Sequence, residues 1–179
     1  MTTPLLVLNG TIGAGKTTML GELTELLVEA DESFMAIDLD TLTQAFPRPV
    51  DDPFSMRLGV ENLAAVWANA ASRGIERLVV ATVLETAGSL SSVLDTIPGA
   101  DPVVVLLTAP AAELERRIRK REVGSALEWH LERSRELSLI LDRGEHNDLV
   151  VATEGREPRE VALEILSTAG WPYPVDASL

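Results

Sequence analysis

The stretch Gly10-Thr11-Ile12-Gly13-Ala14-Gly15-Lys16-Thr17 decides how this chain folds, because it fits the phosphate-loop pattern G-x-x-x-x-G-K-[ST] at every fixed position. Its glycines let the backbone curl so that successive N–H groups point inward at an anion. Lys16 would place a charge against the β- and γ-phosphates of a nucleotide, and the Thr17 hydroxyl would ligate Mg²⁺. The residues predicted to contact the nucleotide are Gly10, Thr11, Ile12, Gly13, Ala14, Gly15, Lys16, Thr17 and Thr18.

The sequence on either side of the loop supports this interpretation. Residues 4–9 form a short apolar run typical of a buried parallel strand. After the loop, apolar residues recur at helical spacing from Met19 to Leu27. A helix that begins near Gly15 would direct its positive dipole end at the same anion. Strand, glycine loop and helix thus follow in the order that the motif requires.

Composition restricts the class of protein. The chain has 179 residues, 46% of them hydrophobic, which predicts a single domain over residues 1–179 with a substantial core. It contains no cysteine, so disulfides and thiolate metal sites are excluded, and we expect a cytoplasmic protein, monomeric or homodimeric. Neither a signal peptide nor a membrane span is expected. The net charge of −13 opposes binding to nucleic acid or to anionic lipid.

Apolar runs and helical patterns alternate about five times along the chain. Such alternation predicts a parallel sheet covered by helices on both faces, with right-handed crossovers. Ligands in such folds bind beyond the carboxyl ends of the strands. The predicted strands cover residues 4–9, 33–38, 77–82, 102–108 and 149–152, and the predicted helices cover about 15–30, 41–46, 55–72, 89–96, 111–121, 126–141 and 158–169.

Asp38 and Asp40 form the second chemical motif. Many nucleotide-hydrolysing proteins carry a metal-orienting Asp at the end of an apolar strand. The predicted third strand ends in Ala81-Thr82 and offers none, whereas the second ends on Asp38. We assign Asp38 to Mg²⁺ through a bound water, and Asp40 to the acceptor hydroxyl, whose proton it would take. The sequence alone leaves the two roles interchangeable, and either carboxylate would also serve as a cap for the short helix at 41–46.

Positive charge is concentrated in one segment. Seven of the 15 Lys and Arg residues lie within residues 116–135. The run L-x-x-R-I-x-x-R at residues 114–121 places Arg117 and Arg121 four apart on one helical face. On a mobile lid, predicted over about residues 111–142, these arginines would close over the transferring phosphoryl group and neutralise its developing charge.

A solvated helix face is the alternative for these arginines, since acidic residues lie among them and exposed ion pairs contribute little. We interpret Arg116, Arg119 and Lys120 as surface residues, paired with Glu113, Glu115 and Glu122.

Candidates on the acceptor side carry weaker signals. Glu85 follows the third predicted strand at the active edge, the edge of the sheet formed by the carboxyl ends of the strands. Arg57 begins a helix and would bind an anionic substrate, or else pair with Glu61 on the surface. Arg133, like its neighbour His130, lies on the second lid helix and would approach phosphate or substrate.

Together these motifs resemble those of the P-loop small-molecule kinases related to nucleoside monophosphate kinases, a group that includes adenylylsulfate kinase, gluconate kinase, shikimate kinase and chloramphenicol phosphotransferase. The shared features are the phosphate loop, the D-x-D at 38–40, the arginine run at 114–121 and a terminal strand, loop and helix. They span nearly the whole chain. The chloramphenicol enzyme's pattern has an acidic pair where this chain has Ala81-Thr82, so its substrate is not carried over.

The resemblance implies a three-layer α/β P-loop NTPase fold, whose five-stranded parallel sheet has the order 2-3-1-4-5 with a helical lid between strands four and five. It also implies ATP- and Mg²⁺-dependent transfer of the γ-phosphoryl group to a hydroxyl of a small molecule. Adenine would stack at the loop 153–156, with Arg156 and Arg117 as nucleotide contacts.

Two other functions fit a phosphate loop: an NTP-hydrolysing switch, and a nucleotide-binding module without catalysis. Guanine-specific switches read their base with N-K-x-D. The two lysines of this chain are Lys16 and Lys120, and Lys120 is followed by Arg-Glu, which argues against a GTPase. The missing Asp on the third strand keeps the non-catalytic module open.

Overall fold

The computed structural model describes residues 2–174. Within this range no helix is long and apolar enough to cross a bilayer. The strands are β1 (Thr3–Gly10), β2 (Phe34–Asp38), β3 (Arg77–Ala81), β4 (Ala100–Thr108) and β5 (Leu149–Ala152). The helices are α1 (Lys16–Glu29), α2 (Leu39–Leu42), α3 (Met56–Ala71), α4 (Ala87–Leu94), α5 (Ala111–Arg121), α6 (Ala126–Leu141) and α7 (Pro158–Thr168).

The strands form one parallel sheet in the order β2-β3-β1-β4-β5, which confirms the predicted order and fold class. Ala81 pairs with Leu8 of β1 on one side and with Asp38 of β2 on the other. Gly10 pairs with Leu107 of β4. This register brings the carboxyl ends of β2, β3, β1 and β4 to a common edge, where the phosphate loop leaves β1.

Both faces of the sheet are covered, as the uninterrupted apolar character of the strands predicts. Leu6 and Leu8 of β1 face one layer, which α1 and α7 pack against. Leu5 and Val7 face the other, which includes side chains of α3 and α4. All four side chains are completely buried, so β1 is held at the centre of the molecule and the loop that follows it starts from a rigid point.

Two predicted helices begin earlier than their apolar patterns indicated. The helix predicted over 41–46 is α2, at Leu39–Leu42, because the Asp38 carboxylate accepts the Asp40 amide at 3.2 Å and caps the helix directly after the strand. The helix predicted over 89–96 is α4, because the Thr86 hydroxyl accepts the Ser89 amide at 3.1 Å. In both cases a side-chain cap sets the first turn.

Trp171, which begins the C-terminal segment that the sequence could not place, packs into the core beside α7. Its side chain is 7% exposed, and its amide donates to Leu166 O at 2.8 Å after the turn at Gly170. The last residues of the chain, 175–179, lie outside the described residues.

Candidate active site

The phosphate loop has the geometry of an anion cradle. Gly13 and Gly15 adopt positive φ, 86° and 102°, and Gly15 ends the loop as the residue before α1. Among the described residues, the amides of Gly13, Gly15, Lys16 and Thr17 donate to no carbonyl or side-chain oxygen. Free amides at a helix N-terminus attract phosphate through their N–H groups and the helix dipole.

The loop is wedged between β4 and α5, and this close packing requires its glycines. A Cβ on Gly10 would lie 2.9 Å from Leu107 O. A Cβ on Gly13 would lie 3.2 Å from Leu114 O and from a carbon of Ile118. The loop therefore rests directly on neighbouring backbone, with no room for side chains between.

The Lys16 ammonium lies inside the curve of the loop. Nζ donates to Gly10 O at 2.8 Å and to Thr11 O at 3.3 Å. Desolvation lowers the pKa of Lys16, and the charges of Asp40 and Asp38 act against this effect. The predicted base and metal residues thus lie within electrostatic reach of the loop lysine.

Thr17 and Asp38 meet across the gap between α1 and β2. Thr17 Oγ1 donates to Asp38 Oδ2 at 3.0 Å. A hydroxyl and a carboxylate are oxygen ligands that suit Mg²⁺, which usually takes one or two protein ligands beside phosphate and water. Residues 2–174 contain no cluster of three or more His, Cys, Asp or Glu side chains that would hold a metal by itself. This donor pair therefore fits a magnesium ion shared with a nucleotide.

Thr82 adds a polar atom at the same edge. It follows β3 at the position where the sequence offered no acid, and its amide donates to Leu8 O at 3.0 Å. Its side chain is 1% exposed, and its hydroxyl has no hydrogen-bond partner among the described residues. A buried hydroxyl without a partner is costly unless a water or ligand oxygen completes it.

Asp40 lies two residues beyond Asp38, in the first turn of α2. The pKa of Asp40 is raised above its usual value, chiefly by desolvation of its carboxyl group and also by repulsion from Asp38, while Lys16 lowers it. The residue as a whole remains exposed. Its carboxylate is therefore poorly stabilised by the protein and open to a substrate hydroxyl, two properties of a general base.

Arg117 clamps the back of the phosphate loop. Its Nη1 donates to Gly13 O at 3.2 Å, to Ala14 O at 3.4 Å and to Thr153 Oγ1 at 3.0 Å. Its Nη2 donates to Thr153 O at 3.1 Å, and its Nε donates to Glu113 Oε1 at 2.7 Å. Arg117 thus joins the loop to the segment after β5, and its charge lies beside the predicted nucleotide site.

The other arginines of α5 are exposed. Arg121 pairs with Glu122 at 3.0 Å, yet its charge is near enough to lower the pKa of Lys16. Arg116 shares Glu113 with Arg117 at 2.7 Å, and Arg119 pairs with Glu115 at 2.8 Å. Lys120, like these arginines, is exposed. The surface interpretation of Arg116, Arg119 and Lys120 agrees with these positions.

The predicted lid is joined to the phosphate loop through α6. Thr11 Oγ1 donates to Ser134 O at 2.9 Å, and Ser134 Oγ donates to Ile12 O at 2.9 Å. Ser134 is 3% exposed. Ser134 occupies a buried helical position between Leu131 and Leu137, and a polar residue in such an apolar stripe is the sequence signal for this contact.

Arg133, the neighbour of Ser134, connects α6 to the acceptor side. Its Nη2 donates to the Glu85 carboxylate, and its Nη1 to Glu136 Oε2 at 2.6 Å. Its guanidinium carbon lies 5.8 Å from the centroid of the Phe54 ring, and Phe54 lies 6.4 Å from the Trp129 ring. The structure thus brings the predicted Arg133 and Glu85 together, beside two aromatic residues that sequence reasoning missed.

The loop that carries Glu85 is fixed by buried polar contacts. The Asn9 side chain accepts the Leu84 amide at 2.9 Å and the Gly10 amide at 2.8 Å, and donates to Asn147 Oδ1 at 3.0 Å. His146 Nε2 lies 2.9 Å from Leu84 O. Asn9, a fully buried amide at the end of an apolar strand, therefore links the phosphate loop to the acceptor side.

Two further candidates make contacts that the sequence did not anticipate. The alternative pairing of Arg57 with Glu61 is wrong: its guanidinium lies 2.7 Å from Asp51 and 3.7 Å from Asp52, in the loop that precedes α3. Arg156 donates to Glu164 Oε2 of α7 at 2.5 Å, beside the segment where adenine is predicted to stack.

No family model matches this chain, and no curated protein sequence matches it. Solved structures match it over nearly its whole length. The tunicamycin resistance protein of Deinococcus radiodurans has a TM-score of 0.61 and 20% identity, covering 96% of this chain and 98% of its own. The gluconokinase of Sinorhizobium meliloti 1021 has a TM-score of 0.59 and 22% identity, covering 94% and 92%. The chain has the fold of the P-loop small-molecule kinases. The APS kinase of Mycobacterium tuberculosis, in complex with AMPPNP and APS, has a TM-score of 0.59 and 20% identity, covering 93% and 98%.

Proposed function

We propose that this chain is a kinase that transfers the γ-phosphoryl group of ATP, in the presence of Mg²⁺, to a hydroxyl group of a small molecule. The observation that carries the proposal is the convergence at one sheet edge of the phosphate loop, the Thr17–Asp38 pair and the electrostatically coupled Lys16 and Asp40. The fold is shared with a gluconokinase and an APS kinase, which supports the same class of reaction.

The residues have complementary roles in this reaction. The loop amides and Lys16 bind the β- and γ-phosphates and stabilise negative charge as it moves toward the leaving group. Thr17 and Asp38 would hold Mg²⁺, which would neutralise part of the negative charge of the phosphates. Arg117 holds the loop in shape, and Arg121 would approach the phosphates from the lid.

Asp40 completes the transfer. The acceptor oxygen attacks the γ-phosphorus while the bond from that phosphorus to the bridging oxygen breaks, and ADP leaves with the electron pair of that bond. The acceptor hydroxyl gives its proton to the Asp40 carboxylate, which returns it to solvent. The raised pKa of Asp40, caused chiefly by desolvation of its carboxyl group, makes it a better proton acceptor than an ordinary aspartate.

A comparison of ADP release with and without acceptors tests this proposal. We expect the chain alone to release ADP very slowly and one acceptor class from a panel of hydroxylated compounds to accelerate it. Asp40→Asn should bind Mg-ATP normally and lose about 10²- to 10⁴-fold in transfer rate. Steady hydrolysis that no acceptor accelerates would identify a switch, and full transfer by Asp40→Asn would remove the base from the mechanism.

A further inference from the structure

The arginines predicted to contact an acceptor are already paired with carboxylates. Arg133 is held by Glu85 and Glu136, and Arg57 by Asp51 and Asp52. A carboxylate, phosphate or sulfate on an acceptor would have to displace one of these protein carboxylates, exchanging one ion pair for another. Such an exchange gives little net attraction in water.

Arg48 is the cation in the loop before α3 for which the structure shows no carboxylate partner within residues 2–174. It is exposed, and its Nη1 donates to Pro53 O at 3.3 Å, next to Phe54. The Arg48 side chain therefore holds the backbone next to Phe54 by a hydrogen bond, and its charge remains in solvent.

Acidic residues at the active edge also repel an anionic acceptor. Asp38 ends β2, Asp40 follows it in α2, and Glu85 follows β3, so three acidic side chains belong to this edge of the sheet. A negative charge on the acceptor would be repelled by these acidic side chains. The net charge of −13 acts in the same direction over longer distances.

Aromatic surface is available at this place. Phe54 and Trp129 are 45% and 49% exposed, and their rings contact each other at a tilt of 38°. They belong to different segments, the loop before α3 and the lid helix α6, so they meet only in the folded protein. Arg133 lies over Phe54 and holds Glu85, which ties the aromatic pair to the active edge. Tryptophan is enriched at binding interfaces because its ring buries apolar area while its N–H stays available to a partner.

We propose that the acceptor carries no negative charge and presents a flat apolar face, which packs against Phe54 and Trp129 while its hydroxyl faces Asp40. This inference depends on the proposed kinase function and specifies its substrate class. The site is thereby distinguished from one that recognises an acidic acceptor through a free arginine.

Trp129 provides a readout that does not require turnover. The chain has three tryptophans, and Trp67 and Trp171 are 4% and 7% exposed, so Trp129 dominates any solvent-sensitive change in emission. Two matched pairs of compounds separate charge from shape: 1-phenyl-1,2-ethanediol against mandelate, and uridine against uridine monophosphate. Each pair keeps the ring and changes the charge.

With Mg²⁺ and a non-hydrolysable ATP analogue present, we expect the neutral member of each pair to quench or blue-shift Trp129 emission at concentrations at least tenfold lower than the anionic member. Trp129→Phe should lose the change in emission but keep an aromatic ring for the acceptor to pack against. Trp129→Ala removes that ring and should raise the KM for the neutral compound about tenfold in an ADP-release assay. Arg48→Gln, which keeps a donor for Pro53 O, should change neither preference nor KM.

Equal or stronger responses to the anionic members, no response to any of the four compounds, or loss of binding in Arg48→Gln would each overturn this inference. Calorimetry with Mg-ATP on the same protein preparation, before the analogue is added, separates its failure from that of the kinase proposal. If Mg-ATP binds and the anionic compounds prevail, only the acceptor class is wrong. If Mg-ATP does not bind, the kinase proposal itself fails.

Discussion

Replacing Arg117 by methionine should loosen the phosphate loop. The substitution keeps an unbranched apolar stem and removes the guanidinium. Nη1 has two N–H groups, so it fully serves at most two of its three acceptors, of which Thr153 Oγ1 at 3.0 Å and Gly13 O at 3.2 Å are nearest. With the Nη2 bond to Thr153 O at 3.1 Å, about three hydrogen bonds to the loop and to Thr153 are lost, in addition to the Nε bond to Glu113, a carboxylate that Arg116 still binds.

At about 1 kcal/mol net for each bond whose acceptor becomes solvated, Arg117→Met should cost about 2–3 kcal/mol of unfolding free energy. For a chain of this size that corresponds to a fall in Tm of about 4–12 °C. Because the loop must then be ordered by the nucleotide itself, the Kd for Mg-ATP should rise about tenfold.

Arg116→Met is the matched control. Arg116 lies on the same helix and bonds the same Glu113 at 2.7 Å, but it is exposed and contacts neither the phosphate loop nor Thr153. Its loss should leave both Tm and Kd nearly unchanged. Thermal unfolding and calorimetry measure the two quantities. Equal effects of the two substitutions would refute the clamp, as would additivity of Arg117→Met with Thr153→Val, since residues in contact should couple by about 0.5–3 kcal/mol.

Three further substitutions test the remaining parts of the site. Asp38→Asn keeps a helix cap and removes the charge opposite Thr17. Calorimetric titration should therefore show ATP binding that Mg²⁺ no longer strengthens. An unchanged effect of Mg²⁺ on ATP binding would exclude Asp38 as the metal residue. Because folding raises the pKa of Asp40, its ionised form costs stability above that pKa, and Asp40→Asn should not lower Tm at pH 7. Transfer by the wild-type chain should decline as pH falls through that raised pKa. A lower Tm for the variant, or transfer that persists well below the usual aspartate range, would contradict the assignment. Gly10→Ala should cost about 1–3 kcal/mol in chemical denaturation, because its Cβ would lie 2.9 Å from Leu107 O, and full stability would contradict the tight packing of the loop.

Glu113 on α5 is a second acidic group whose titration bears on the pH dependence of the protein. Hydrogen bonds from Arg116 and Arg117 lower the pKa of Glu113 to about 2. Glu113 therefore stays ionised above pH 4, and its contribution to stability, present above its unfolded pKa, is lost only as pH falls toward 2. A decline of activity above pH 4 therefore does not come from this ion pair.

The fold follows from the sequence because its decisive signals are local. The phosphate loop, the apolar strands and the breaks between helices each depend on neighbouring residues, and the sheet order follows from the resemblance to a known group. The errors fell at helix starts, where the Asp38 and Thr86 caps override the apolar pattern. Caps depend on one side chain and leave little periodic signal.

The site was predicted less completely, because its long-range pairs are invisible to spacing. The assignment of Asp38 and Lys16 to one edge followed from strand order, and the structure brings them together. The contacts of Asn9, Ser134 and Trp129 join residues many positions apart, so only folding shows them. For Asn9 and Ser134, the signal in the sequence was a polar residue within an apolar stretch.

Calorimetric titration with Mg-ATP tests the central claim most directly. The wild-type chain should bind one nucleotide with a saturating heat, and Lys16→Ala should bind none. Since folding disfavours the charged Lys16 ammonium, the variant should remain folded, which thermal unfolding would verify. No heat from the wild-type chain, or the same heat from folded Lys16→Ala, would contradict the account.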